Sequence, residues 1–222
     1  MSISFAEKDQ KLQEKSRTIG VVVISSSFVV HLGKVSFTDY WGGKFSDDIG
    51  WRVFFAEENR LVVISEDIID VRRFNAENAE VTWATSDLRT WLNGEFRAGW
   101  SQTLKNRAML QNVPAPDSSG GKGTTDMVYL MDVSVAEYYL PSDTDRQAGI
   151  NLTPEAIQGF NDAANTDIEA NVETYGGTTW WLRSPGDAGN KEAFVSHSGT
   201  IKAEGDSVNL LSGIRPVVVV WR

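Results

Sequence analysis

The chain contains no cysteine. Disulfides, thiolate nucleophiles and cysteine-ligated zinc are therefore excluded, and the redox character of its compartment is left open. Histidine is almost as scarce. Only His31 and His197 occur, each in a segment read as a strand, with no His-x-x-x-His or comparable metal-binding spacing. No Gly-x-Ser-x-Gly nucleophile elbow is present. Basic residues are in deficit, 21 Lys and Arg against 30 Asp and Glu, a net charge of −9. Phosphate backbones and anionic bilayers select clustered cations, so neither nucleic acid nor an anionic membrane surface is expected as a partner. Long apolar runs are missing too. Ile19 to Ile24 is far too short to span a bilayer, so no membrane insertion is expected, and Met1 to Asp9 lacks the charged-then-apolar pattern of a leader. The default expectation is a cytoplasmic protein, or a secreted or surface one if a leader has been removed.

What is present suits a packed domain. The length is 222 residues, with 41% hydrophobic and 23% charged, enough apolar mass for a core and too little net charge for global disorder. The expected organisation is an N-terminal arm or short helix over 1–18, capped by Ser4 with Glu7, then one domain over 19–222. Ile19–Ile24, Phe28–Leu32 and Val35–Tyr40 read as strands, with Gly33-Lys34 as a tight turn. Ile49–Ala56 and Leu61–Ser65 flank Glu57–Arg60 as a hairpin whose apolar strands are covered on both faces.

Two adjacent helices follow. In the first, Leu88, Trp91, Leu92, Glu95 and Phe96 recur at helical spacing behind the N-cap Ser86, and Gly94 costs it propensity. The second runs from Ser101 to about Leu110. Pro114–Gly123 reads as a loop. A phosphate loop at Gly120–Thr125 fails, because Gly123 follows Lys122 and Pro116 stands where the first glycine belongs. Val128–Met131 reads as a short strand and Ser134–Leu140 as a short helix. Thr153-Pro154-Glu155 is a strong helix start inside a polar, helical excursion over 141–176. The chain then returns to strands at Thr178–Leu182, Ala193–His197, Gly199–Ala203 and Ile214–Trp221.

Several motifs carry a resemblance. Trp51-Arg52-Val53-Phe54, Ser86-x-Leu88-Arg89-x-Trp91-Leu92-Asn93, Thr125-Asp126, Trp180-Trp181-Leu182-Arg183-Ser184-Pro185-Gly186 and Ile214-Arg215-Pro216 resemble the bacterial domain-of-unknown-function 6273 family from about Lys34 to Val220. That family looks related to the C-type-lectin-like fold shared by formylglycine-generating-enzyme-like domains and by the variable proteins of diversity-generating retroelements. The resemblance implies an α+β fold: two main helices packed on a twisted, mostly antiparallel sheet, with a loop-rich C-terminal half. It does not imply formylglycine-generating activity, which uses cysteines that this chain lacks.

The resulting expectation is a non-enzymatic domain that binds a protein or carbohydrate ligand. Trp180 and Trp181, adjacent in a strand, should face opposite sides, one buried and one lining a surface pocket. Asp187, Asn190, His197, Asp206 and Asn209, with Lys191, Glu192, Ser198 and Ser207, would supply a polar loop face. In the retroelement relatives this stretch carries the varied residues. Arg183 and Arg215 are expected to support the sheet by bonding carbonyls or acidic loops such as Asp126. No cofactor is expected. Asp47-Asp48 and Asp143 with Asp145 offer oxygen ligands to calcium, with solvated acidic loops as the plainer reading. The alternatives are a structural or assembly subunit of a phage-like or cell-surface particle and, further off, a hydrolase working with two carboxylates.

Overall fold

The computed structural model describes residues 21–22, 28–116 and 121–222. The expected helix over 5–16 and most of the expected strand Ile19–Ile24 lie outside them. Among the described residues the fold is α+β, built on two five-stranded sheets. The first sheet contains β1 (Val21–Val22), β2 (Phe28–His31), β5 (Gly50–Glu57), β6 (Arg60–Ser65) and β14 (Val217–Trp221). It runs in the order β1-β5-β6-β14, with β2 also on β5, all antiparallel. The second contains β7 (Asp70–Arg73), β10 (Trp180–Pro185), β11 (Lys191–Val195), β12 (Ile201–Ser207) and β13 (Leu211–Ile214). Its order is β12-β11-β10-β13-β7, antiparallel except for the parallel pair Trp180–Gly213. Two small hairpins complete the strands: β3 (Val35–Thr38) with β4 (Lys44–Asp47), and β8 (Gln111–Val113) with β9 (Thr124–Asp126).

The two sheets share a corner. The chain leaves β6 for β7 and leaves β13 for β14, and those strands are neighbours in both sheets. The expected single strand Ile214–Trp221 is therefore two strands split at Arg215-Pro216. Arg215, fully buried, donates to the carbonyls of Ser65 (2.9 Å) and Glu66 (3.0 Å) and lies over the Trp180 ring. Burial pulls its pKa down, and the Glu66 and Asp67 carboxylates oppose that. The Ser65 N–H donates to Pro216 and the Ile69 N–H to Ile214, closing the corner.

The helices follow local rules. Ser86 accepts from the Arg89 N–H and starts α1 (Asp87–Trp91), which continues as a π-helical turn over Leu92–Phe96. Ser101 caps α2 (Gln102–Arg107), Asp132 caps α3 (Val133–Tyr139) and Ser142 caps α4 (Asp143–Arg146). Thr153 caps α5 (Pro154–Ala164), which runs through Gly159 and stops at Asn165 in the left-handed region. A separate helix, α6 (Ile168–Tyr175), starts from Asp167. The expected strand Val128–Met131 is only an isolated bridge, Tyr129 to Val217. Its place is taken by β9, where the Thr-Thr-Asp sequence gives no apolar alternation to read.

Apolar side chains fill both faces. The larger core joins Trp51, Phe74, Trp83, Leu92, Phe96 and Trp181, and a second holds Ile64, Ile68, Met131, Trp180, Leu182 and Val217. The Trp180-Trp181 pair does point to opposite faces, but both faces are interior. The two residues are 0% and 1% exposed, so neither lines a surface pocket.

Candidate functional site

The expected loop face is divided by the fold. Asp187, Asn190 and Asp206 gather at one end of the β11–β12 hairpin, where Lys191 pairs with Ser207. Asp187 is 3.0 Å from Lys191, Asn190 donates to Asn78 (2.9 Å), and Asp206 accepts from the Ser207 N–H. Asn209 follows Val208, whose N–H bonds the Asn190 carbonyl. His197 sits at the other end of the hairpin, its ring 4.2 Å from Tyr175. Of the carboxylates offered for calcium, Asp143 holds Arg146 and Thr200, Asp145 closes the α4 cap, Asp47 accepts from Asn151 and Asp48 from the Gly33 N–H. No group of acidic or histidine ligands that would hold a metal occurs among the described residues.

The structure forms a pocket elsewhere. A cavity of about 220 Å³ lies between the outer face of the first sheet, α3 and β8. Phe54, Phe55 and Val62 form its floor. Tyr139 and Val135 of α3 form one wall, Gln111 to Pro114 the other, and Tyr129, Met131, Asp132 and Arg183 its inner end. Tyr139 packs against Phe54 and Phe55, ring centroids 5.3 and 5.8 Å apart. Two exposed apolar side chains adjoin lining residues in the chain: Tyr138 next to Tyr139, and Leu110 next to Gln111.

The polar groups at the inner end are mostly committed. Arg183 pairs with Asp132 and donates to the Pro114 carbonyl (2.8 Å), while the other Asp132 oxygen caps α3 through the Val135 N–H (2.8 Å). The expectation that Arg183 bonds carbonyls and an acidic group is met, with Asp132 as the partner. Asp126 instead holds Arg89, Trp83 and Thr124. The Gln111 amide donates to backbone carbonyls and Asn112 accepts from Thr125. Among the described residues the Tyr129 and Tyr139 phenols make no hydrogen bond; burial pushes the Tyr129 pKa up to about 12, so it stays a donor at neutral pH.

Behind the ion pair lies Glu192, 1% exposed, with neither carboxylate oxygen hydrogen-bonded among the described residues. Burial raises its pKa well above the usual carboxylate range, and only Arg183 opposes this. Burial likewise lowers the pKa of Arg183. One guanidinium thus faces three carboxylates, Asp132, Asp126 and Glu192, and pairs directly with the first.

Nothing in the sequence announces this pocket, because its walls come from five separated segments. The one local signal is the density of aromatics in Trp51–Phe55 together with Tyr138-Tyr139.

A family model described as a domain of unknown function, DUF6273, matches residues 58–221, most of the chain. The match begins at residue 58, later than the resemblance from Lys34. No curated protein and no solved structure matches.

Proposed function

Because the chain belongs to the domain-of-unknown-function family DUF6273, its role has to be read from its own site, and we propose that it is a non-enzymatic binding domain for a protein partner. The partner would insert one aromatic side chain into the pocket between α3, β8 and the first sheet. The observation that carries this is the lining: Phe54, Phe55, Val62, Met131, Val135 and Tyr139 around a volume of about 220 Å³. That is below the ~300–1,000 Å³ of sites enclosing a whole drug-sized molecule and suits a single anchoring ring. A hexose would need several free polar partners, and Asp132, Arg183 and Gln111 are already engaged. The protein reading therefore stands ahead of the carbohydrate one. The C-type-lectin-like comparison belongs to the same proposal, supported by the antiparallel first sheet, the helices outside it and the return of β14 to strands formed early in the chain.

The test is a thermal-shift and titration series with p-cresol and indole as ring probes, against a hexose panel, on the wild type and Tyr139→Ala. Ring probes should raise Tm, a ligand at a hundred times its Kd adding about 2.7 kcal/mol. Tyr139 is only partly buried, so Tyr139→Ala should lose the shift while staying folded. A shift with hexoses alone, or ring binding indifferent to Tyr139, would sink the proposal.

A further inference from the structure

A second cavity, about 340 Å³, lies between the π-helical turn and α2. Its charged lining is Arg97 and Lys105, with no carboxylate, in a chain where acids outnumber bases. Arg52, Arg60, Arg72, Arg89, Arg146 and Arg183 are each paired with an acid. The Arg97 guanidinium makes no hydrogen bond or ion pair among the described residues, and Lys105 is held by the Ala98 carbonyl (2.8 Å) at the edge of the cavity. Trp100, 4% exposed with its indole N–H buried and without a partner, lines the cavity, and Met127 adds an apolar surface.

Two local features keep the space open. Gly94 sits inside the π-helical turn, where glycine costs about 1 kcal/mol relative to alanine. Its φ is not positive and a Cβ there would meet nothing within 4 Å, so neither strain nor packing requires glycine. Gly94 lines the cavity, and a large side chain in its place would compete with a ligand for that space. Asn93 is the clamp. Its amide donates to the Arg89 and Val128 carbonyls and its oxygen accepts from the Met127 and Val128 N–H groups, at 2.9–3.2 Å. Met127 is thus pinned to the helix, and the cavity floor is fixed before any ligand arrives. π-helical turns of this kind recur at functional sites.

We infer that this cavity binds a small organic carboxylate, with its anionic end on Arg97 and Lys105 and its apolar body over Trp100 and Met127. The site is separate from the aromatic pocket and does not rest on it. Isothermal titration of the full chain would use benzoate, its neutral isostere benzamide, and inorganic phosphate. Benzoate should bind at least ten-fold more tightly than benzamide or phosphate. Arg97→Gln should weaken it at least ten-fold, Gly94→Leu should abolish it, and Tyr139→Ala should leave it unchanged. Circular dichroism would check that Gly94→Leu folds. If it does not, Arg97→Gln carries the test alone, since Arg97 is exposed and its guanidinium unpartnered. Equal binding of benzoate and benzamide, binding of phosphate alone, no binding, or benzoate binding indifferent to Arg97 would each overturn the inference.

Discussion

Glu192 shows what one buried group does to the whole pH profile. Its folded pKa is raised, so its contribution to stability is fully present below the ordinary carboxylate range. That contribution is lost as pH rises through the folded value. Other acids act in the opposite sense, Glu66 for instance being lowered by its bond to Arg52, so the comparison must be between variants. Glu192→Gln should match the wild type near pH 4 and exceed it at pH 8. The gain should be on the order of 1–3 kcal/mol, the cost of an unsatisfied buried polar group, read as Tm across a pH series. A constant difference at all pH values would show that Glu192 is not titrating. None of this was legible in the sequence. Lys191-Glu192-Ala193 reads as a strand entering a loop face, and only the packing of β11 against β10 makes Glu192 interior. The same is true of Trp180. Alternation gave the opposed faces correctly but not that both are covered, because covering is decided by the segment 129–140, remote in sequence.

Elements were legible where their signals are local. Ser86, Ser101 and Thr153-Pro154 marked helix starts because capping is settled within four residues. β4 escaped because Lys-Phe-Ser-Asp carries one apolar residue, and it forms only as the partner of β3. Gly159 is a case where local propensity misleads. Mid-helix glycine normally favours replacement by alanine by about 1 kcal/mol, yet here a Cβ would overlap the Trp41 indole. Gly159→Ala should therefore destabilise the protein by about 1–3 kcal/mol, the usual range for overpacking, measured by urea unfolding. A gain in stability would mean that Trp41 moves aside freely. Gly99 obeys the same logic more strictly, since a Cβ there would meet the Ser36 carbonyl, which cannot rotate away.

At the scale of the molecule, the two sheets are one cooperative body only if their shared corner holds. Arg215 occupies that corner with two backbone carbonyls on its guanidinium. Arg215→Met keeps the bulk but leaves both carbonyls without their donor, a loss of about 2–5 kcal/mol. Urea unfolding should remain a single transition at lower midpoint. An unchanged midpoint would show that Arg215 does not hold the corner. The sequence offered Arg215-Pro216 as the opening of one long strand. It is instead the hinge between two, because proline gives its ring to the turn and its carbonyl to Ser65.

The same corner sets a timetable for synthesis. Ser65 and Arg215 are 150 residues apart; β6 has β5 early but waits for β14 on its other edge, and β7 waits for β13, both made at the far end of that interval. At about 5–20 residues per second, Leu61 to Ile64 and Val71 leave the ribosome roughly 8–30 s before β13 and β14 exist to cover them. During that time the nascent chain carries an open edge rich in valine and isoleucine, the kind of surface that other nascent chains and holding chaperones compete for. A cell short of such chaperones should lose this protein to aggregation during translation even when the finished molecule is stable.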